Sequence, residues 1–501
     1  MGKKTVISNI LSTFLLQFVT IINGLVVPKI FLSLFGSEAN GMVTSISQFL
    51  NYVTLLEGGV SGVVLASLYK PLQENDEKKI SGIFNATQHF FRQIGAIYVV
   101  YSIILAFVYP LVVETPYSYG YVFVLVLVLT IKLFTQYFFS MSYQILIKAS
   151  QKVYLISRTK AIVLLVNIIA IFICSKVFKD LIFIKAVSSI ILFIQPVVFS
   201  FHVKKRFKLD KTVARDITAL SQRWSGFGHT LAYFINTNIS VIMLTAFSTL
   251  SLVSVYSVYI MITNAIRNLI VALASALIPS VGAIMSKGDK EESSKAFAIY
   301  SFGMCFFTML LFTCGIVLIL PFVKVYTANI TDVNYIRPAF AIVLMVAELI
   351  YCFREPYINV AYAAGHFKQT VKFAYIESAL NIIVSLLLVH KLNLLGVAIA
   401  LLISMTYRMM AHIIYLKYNI LKLPIYNFVK LAAVFFSTAL FVTVLSYLVL
   451  PLSEINSYWS WIVNAIVVGI ISAISFVAVS FVFFKPMLQK IIGGISTKKK
   501  L

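Results

Sequence analysis

Runs of about 20 or more apolar residues, each long enough to cross a ~30 Å hydrocarbon layer as a helix, follow one another along almost the whole chain. Short polar breaks separate them. They predict fourteen transmembrane helices, at 6–35, 41–69, 83–112, 119–147, 153–178, 181–202, 223–247, 252–285, 296–324, 335–363, 369–390, 394–417, 427–451 and 456–484. The first run is expected to be a helix and not a cleaved secretory signal, because Ser12, Thr13, Gln17, Thr20 and Asn23 interrupt it and no small-residue cleavage site follows. The expected fold class is all-α, a polytopic membrane protein of about fourteen spans.

Composition agrees with that pattern. Hydrophobic residues make up 60% of the 501 residues against 12% charged, which leaves little sequence for a water-facing domain. The formal charge of +24 would point to nucleic acid in a soluble protein, so the placement of the charges decides its meaning. With the N-terminus inside, Lys3/Lys4, Lys70/Lys78/Lys79, Lys148/Lys152, the run from Lys204 to Arg215, Lys287/Lys290, Lys368, Lys417/Lys422 and Lys485 through Lys500 all fall on the cytoplasmic side. The other side keeps Lys176, Lys179, Lys324 and Lys391. This asymmetry predicts a multi-pass protein of the cell membrane with both termini cytoplasmic. No nucleic acid is expected as a partner. Cys174, Cys305, Cys314 and Cys352 lie inside predicted spans without a Cys-x-x-Cys pair, so neither a metal site nor a disulfide framework is indicated.

An internal repeat appears at an offset of about 213 residues. The loop Glu74-Asn75-Asp76-Glu77-Lys78-Lys79 falls on Lys287-Gly288-Asp289-Lys290-Glu291-Glu292, Asn23 on Asn236, and Asn51 on Asn264. One residue later in register, Asn167-Ile168-Ile169 meets Asn381-Ile382-Ile383. Six helices begin and end on one side, so the copies share an orientation, as in parallel-repeat transporters. The domain reading is an N-terminal six-helix bundle at 1–202, a basic linker at 203–222, a second six-helix bundle at 223–417, two further helices at 427–484, and a basic tail at 485–501.

Polar residues inside the spans are the candidates for function, since a charge at a helix centre costs at least ~2.5–3.5 kcal/mol on insertion scales. The first span carries Thr13, Gln17, Thr20 and Asn23 on one stripe, followed by Pro28 and Lys29; the second carries Ser47, Asn51, Thr54 and Glu57. Asn236 lies on the seventh span, and Asn264 with Arg267 near the centre of the eighth. Lys132, Gln136 and Ser140 form a stripe on the fourth span. Uncharged stripes fit interhelical hydrogen bonding as well as a cavity wall. The mid-span cations Lys132 and Arg267, with Lys29, suggest a cationic cavity for an anionic substrate. Glu57, Glu348 and Glu377 either neutralise these cations or bind a coupling H+ or Na+. Arg354 with Glu355 reads as a structural pair, and Arg408 with His412 as a reach toward the inner headgroups.

Several segments together resemble the polysaccharide transporters, or Wzx-type flippases, of the multidrug/oligosaccharidyl-lipid/polysaccharide exporter superfamily. They are LFGSEANGMVTSISQFLNYVTLLEGGVSGVV at 34–63, VSVYSVYIMITNAIRNLI at 253–270 and AAGHFKQTVKFAYIESALNIIVSLLLVHKLNLLGVAIALLIS at 363–404. The resemblance implies translocation of an undecaprenyl-diphosphate-linked oligosaccharide between leaflets by alternating access. Its cavity helices correspond here to the stripes through Asn23 and Lys29, Asn51 and Glu57, Asn236, and Arg267. The implied partners are that lipid-linked glycan, the bilayer and other polysaccharide assembly proteins, and no cofactor is expected beyond a coupling ion. The drug-extrusion branch differs in using carboxylates for organic cations, and the first span here has no acidic residue. A glycosyltransferase or polymerase acting on lipid-linked glycans would need a sizeable external loop, and the predicted loops are short. No G-x-x-x-x-G-K-[ST] loop occurs, which removes an ATP-driven mechanism. The chain is expected not to be an enzyme.

Overall fold

The computed structural model of the protein describes residues 3–220, 227–285, 289–421 and 425–490. The helices are α1 (Lys3–Leu50), α2 (Thr54–Glu57), α3 (Val60–Glu74), α4 (Glu77–Val112), α5 (Tyr119–Thr135), α6 (Met141–Ala149), α7 (Val153–Val177), α8 (Leu181–Ile191) and α9 (Ile194–Arg206), then α10 (Phe227–Phe247), α11 (Leu250–Met285), α12 (Lys290–Tyr326), α13 (Pro338–Ala363), α14 (Phe367–Leu392), α15 (Leu394–Asn419), α16 (Ile425–Val449) and α17 (Tyr458–Phe483). No strand occurs among the described residues.

Twelve described helical segments are long and apolar enough to cross a membrane. The first of them, Ile7–Glu57, is 51 residues long and contains a kink at Gly36, where φ is 77°. At ~1.5 Å per residue it is far longer than one crossing needs, so it divides there into two. α13 falls outside the twelve because Glu348, Arg354 and Glu355 sit within it, yet its 26 residues are a full crossing in length. Dividing the first segment and adding α13 gives the fourteen expected spans. Large apolar side chains such as Leu448, Leu111, Trp459 and Phe201 are 70–80% exposed, which suits lipid and not water.

Three predicted spans are not plain helices. The second is interrupted by a 3-10 turn at Asn51–Val53 and again at Gly58–Gly59, with φ of 58° and 141°, so α2 and α3 are separate. The fourth runs through a π-helical turn at Gln136–Ser140 between α5 and α6. The sixth is divided into α8 and α9 at Leu192–Phe193.

Helix starts follow the acidic caps in the sequence. Asp76 accepts from the Lys79 amide (2.9 Å) to begin α4, and Asp289 accepts from the Glu291 and Glu292 amides (2.8 and 3.1 Å) to begin α12. These two aspartates are the residues that the repeat superposes.

The chain divides into two compact units, Met1–Phe234 with Thr249–Ser254, and Ile235–Ser248 with Val255–Leu501. In the first, α1 packs along α7. Asn9 donates to the Gln151 carbonyl (2.9 Å) and accepts from the Tyr154 amide (2.8 Å), while Arg158 donates to Ser12 (2.9 Å) and Ser8 (3.0 Å). The described part of the basic linker after Arg206 lies against the start of α4: Asn85 donates to the carbonyls of Asp210 (2.9 Å) and Val213 (3.1 Å), and the Asp216 amide to the Gly82 carbonyl (3.1 Å). It forms a short 3-10 turn at Ile217–Leu220. In the second unit α13, α14 and α15 pack together, α17 and the segment before it seat on α12 through Val317, Leu318, Ile455 and Val468, and α16 meets α12 through the rings of Phe435 and Phe302. The end of the linker, Lys287-Gly288, Lys422 and the tail beyond Lys490 lie outside the described residues, as does the side chain of His229.

Candidate transport sites

In the second unit the ionisable residues of α11, α13, α14 and α15 form one network. Arg267 on α11 donates to both Glu348 oxygens (3.1 and 3.4 Å) and to the Asn264 side-chain oxygen (2.5 Å). Its guanidinium also lies 5.1 Å from the centre of the Tyr351 ring, and that of Arg354 lies 4.5 Å from the same ring. Glu377 on α14, fully buried, receives Arg354 on one oxygen and Arg408 on the other, the latter at 2.5 Å. Arg408 reaches Tyr362 (3.4 Å), and Asn359 joins Glu355 (3.4 Å) to Tyr300 (3.3 Å). Three guanidiniums and three carboxylates thus share one interior region and are formally neutral. Two expectations are corrected here. Arg354 pairs with Glu377 and not with its neighbour Glu355, because α13 turns successive side chains to different faces. Arg408 and His412 are buried, 7% and 0% exposed, and do not reach toward headgroups.

The asparagines of the repeat act in packing on this side. Asn381 donates to the Asn236 side-chain oxygen (3.0 Å), and Asn236 donates to Ser378 (3.3 Å), tying α10 to α14. Their repeat partners Asn23 and Asn167 lie on the packed pair α1 and α7.

The first unit is arranged differently. Lys132 near the end of α5, Thr135, the π-turn residues Gln136 and Ser140, Gln144 of α6, Lys160 of α7 and Gln195 of α9 line a small cleft of about 60 Å3. None of the described residues lining it is acidic. Gln144 donates to Ser140 (2.9 Å), while the buried Thr135 hydroxyl has no partner among the described residues. The π-turn supplies the physical reason for the cleft: one extra residue per turn swings Gln136 and Ser140 away from α-helical register.

Glu57 closes α2 at the Gly58–Gly59 break. It accepts from Ser61 one turn on and from Tyr137 of the π-turn (3.4 Å). Two helix irregularities therefore meet at one carboxylate held by hydroxyls. Asn51 occupies the 3-10 turn before α2, where its carbonyl accepts from Thr54 (2.7 Å), and Lys29 is half-buried on α1 beside Pro28. Neither the π-turn nor the partners of Glu57 follows from hydrophobic periodicity. Lys160 and Gln195 were absent from the sequence expectations, and a polar side chain inside an apolar run was their available signal.

Sequence comparison matches the chain to no family profile and to no curated protein. Comparison of structures gives strong fold matches. The lipid II flippase MurJ in an inward closed conformation superposes with a TM-score of 0.73 at 15% identity, covering 96% of this chain and all of that one. An inward-facing multidrug resistance MATE family transporter of the MOP superfamily gives 0.66 at 15% identity, over 83% of this chain and 95% of that one. The Vibrio cholerae MATE transporter VcmN gives 0.54 at 14% identity, over 84% of this chain and 99% of that one. The chain therefore has the fold that these flippase and transporter structures share.

Proposed function

We propose that this protein is a flippase. It moves an undecaprenyl-diphosphate-linked oligosaccharide, the repeat unit of a cell-surface polysaccharide or teichoic acid, from the inner to the outer leaflet of the cytoplasmic membrane by alternating access. The observation that carries this reading is the polar cleft at Lys132 and Lys160, with no acidic side chain among the described residues that line it, set in a fold shared with a lipid II flippase over nearly the whole chain. Lysine and amide donors suit a diphosphate. A drug exporter for organic cations would need carboxylates in that place.

Arg267 takes a different part from Lys132 in this reading. Its charge is already matched by Glu348, so it holds α11 to α13 and fixes the Asn264 side chain, while Lys29, Asn23 and Asn51 of the first unit and Asn236 of the second are further candidates for substrate contact. Coupling to H+ or Na+ falls to Glu57, whose partners Ser61 and Tyr137 are neutral hydroxyls, whereas Glu348 and Glu377 are engaged by arginines. One observation favours the second reading, a cation-coupled multidrug exporter: the same Glu57 sits at a broken helix, a place where transporters bind ions.

The test is translocation in proteoliposomes of an undecaprenyl-diphosphate oligosaccharide from the producing cell's own glycan pathway, read as accessibility on the opposite leaflet. The wild type is expected to move it. Lys132→Gln is expected to slow it at least tenfold, and Glu57→Gln to abolish its dependence on an ion gradient. Wild-type vesicles no faster than protein-free ones, together with gradient-driven efflux of an organic cation, would overturn the flippase reading in favour of the exporter.

A further inference from the structure

A second cavity of the first unit shares no residue with the cleft at Lys132 and lies where the linker begins. It measures about 420 Å3, within the roughly 300–1,000 Å3 of small-ligand sites. The ends of α3, α6 and α9 and the start of α4 form its walls. Three amides line it, Gln73, Asn75 and Gln151, with the rings of Tyr69 and Phe207. Glu77 and Arg206 add one carboxylate and one guanidinium. Asn75 and Gln151 sit in the left-handed region, with φ of 52° and 61°, on the turns that follow α3 and α6. Backbone bonds hold both turns, from the Asp76 amide to the Pro71 carbonyl (3.0 Å) and from the Lys152 amide to the Ile147 carbonyl (3.2 Å).

The second unit has a cavity of about 310 Å3 built from the corresponding positions. At the repeat offset Leu72, Glu77, Ile80, Arg206 and Phe207 fall on Met285, Lys290, Ser293, Asn419 and Ile420, and each lines its own cavity. One residue later in register, Ala149 and Ser150 fall on Ala363 and Ala364. The fold therefore opens a space at these helix ends in either unit, and the chemistry of the lining is what differs. In the second cavity the Asn419 side chain donates to the Tyr415 carbonyl (3.1 Å), and His366 bonds the Tyr415 hydroxyl (2.7 Å). Those polar groups are already served by the protein. In the first cavity the side chains of Gln73, Asn75 and Gln151 make no hydrogen bond among the described residues. An amide both donates and accepts, as a sugar hydroxyl does, so three of them can match neighbouring hydroxyls in both senses. The rings of Tyr69 and Phe207 offer apolar faces for the C–H side of a pyranose. Glu77 and Arg206 cancel in formal charge, which favours neither an anion nor a cation, and a lining this polar does not suit an acyl chain.

We infer that the cavity at Tyr69, Gln73, Asn75, Gln151 and Arg206 is a binding site for a neutral sugar of monosaccharide or disaccharide size. Sugar binding stands by itself; only the assignment of that sugar to the head of a lipid-linked glycan rests on the flippase reading. The distribution of lysine and arginine predicts this end of the unit to be cytoplasmic, the side from which such a substrate is taken up. Neutral hydrogen bonds and ring contacts at an open cavity hold a sugar weakly, which suits a site that must release the glycan again.

The full chain in nanodiscs of zwitterionic lipid is titrated with glucose, galactose, N-acetylglucosamine and the oligosaccharide released by mild acid from the producing cell's lipid carrier. Binding is read by saturation-transfer NMR, and thermal unfolding is followed in parallel. The wild type is expected to bind at least one of these sugars, with an affinity that salt leaves unchanged. Ser150→Ala/Gln151→Gly/Arg206→Asn takes its residues from the matching positions Ala364, Gly365 and Asn419, which the same fold already accommodates. This variant is expected to melt with the wild type and to bind about tenfold more weakly or worse. Tyr69→Phe, which keeps the ring, retains binding within about threefold. Tighter binding of the released oligosaccharide than of the free sugars supports a site for the glycan head, and equal binding supports a site for a free sugar. No sugar bound by the wild type, equal binding by the wild type and the triple variant, or displacement of the sugar by inorganic pyrophosphate overturns the inference. Vesicles that bind the oligosaccharide yet fail to translocate its lipid-linked form would sink the flippase reading and leave the sugar site standing.

Discussion

Arg267 shows how far single residues can be read before their neighbours are known. A guanidinium in an apolar run announces itself, and its sequence neighbour Asn264 does bond to it. Its principal partner, Glu348, comes from α13, 81 positions away, and only packing reveals that the charge is answered. The same holds for Glu377, whose two arginines come from α13 and α15. Truncating one member of such a pair leaves an uncompensated buried charge. Arg267→Ala is therefore expected to destabilise the protein by about 3–5 kcal/mol, and Arg267→Ala/Glu348→Ala to recover most of that loss. Thermal unfolding in detergent measures both, and a double variant no more stable than the single would mean that Glu348 is not what Arg267 serves.

At the scale of elements, periodicity and caps place the helices, while their irregularities come from elsewhere. Asp76 and Asp289 are readable caps because an acidic side chain before an amphipathic run has free amides to accept from. The Gly58–Gly59 break is readable in part, since paired glycines weaken a helix, but the φ of 141° at Gly59 requires tertiary contacts to hold it. Gly59→Ala is expected to cost about 1–3 kcal/mol through backbone strain. It is also expected to lower transport by moving Glu57 away from Tyr137. A substituted protein with unchanged melting and unchanged transport would show that the break is incidental. The π-turn at Gln136–Ser140 leaves no mark in a sequence of ordinary helix-compatible residues, because its extra residue is accommodated by packing against α4 and α9.

Over the whole chain, the distribution of lysine and arginine predicts orientation, with the polar loop at Ser150–Lys152 and the linker beginning at Phe207 on the cytoplasmic side and the Lys179–Asp180 turn outside. Single cysteines placed at Lys208 and Lys179 in a cysteine-free background report this directly. A membrane-impermeant maleimide added to intact cells is expected to label Lys179→Cys and to spare Lys208→Cys until the cells are opened. The reverse pattern would invert the assignment of both termini. Removing the native cysteines is expected to be tolerated at Cys174 and Cys314, which are half-buried, and less so at the fully buried Cys305 and Cys352.

The amino-acid sequence by itself determined that the chain is all-helical and lives in lipid, about how many times it crosses, and where most helices begin and end. These follow from local physics: unpaired backbone groups force helices in hydrocarbon, apolar length sets each crossing, and acidic caps start the chain again after a loop. Only the tertiary structure decided which charges are answered. Ion pairing depends on side chains that meet across helices tens of residues apart, so Arg267 and Lys132 look alike in sequence yet differ in kind. One is neutralised among carboxylates, and the other lines a cleft with no described acidic side chain.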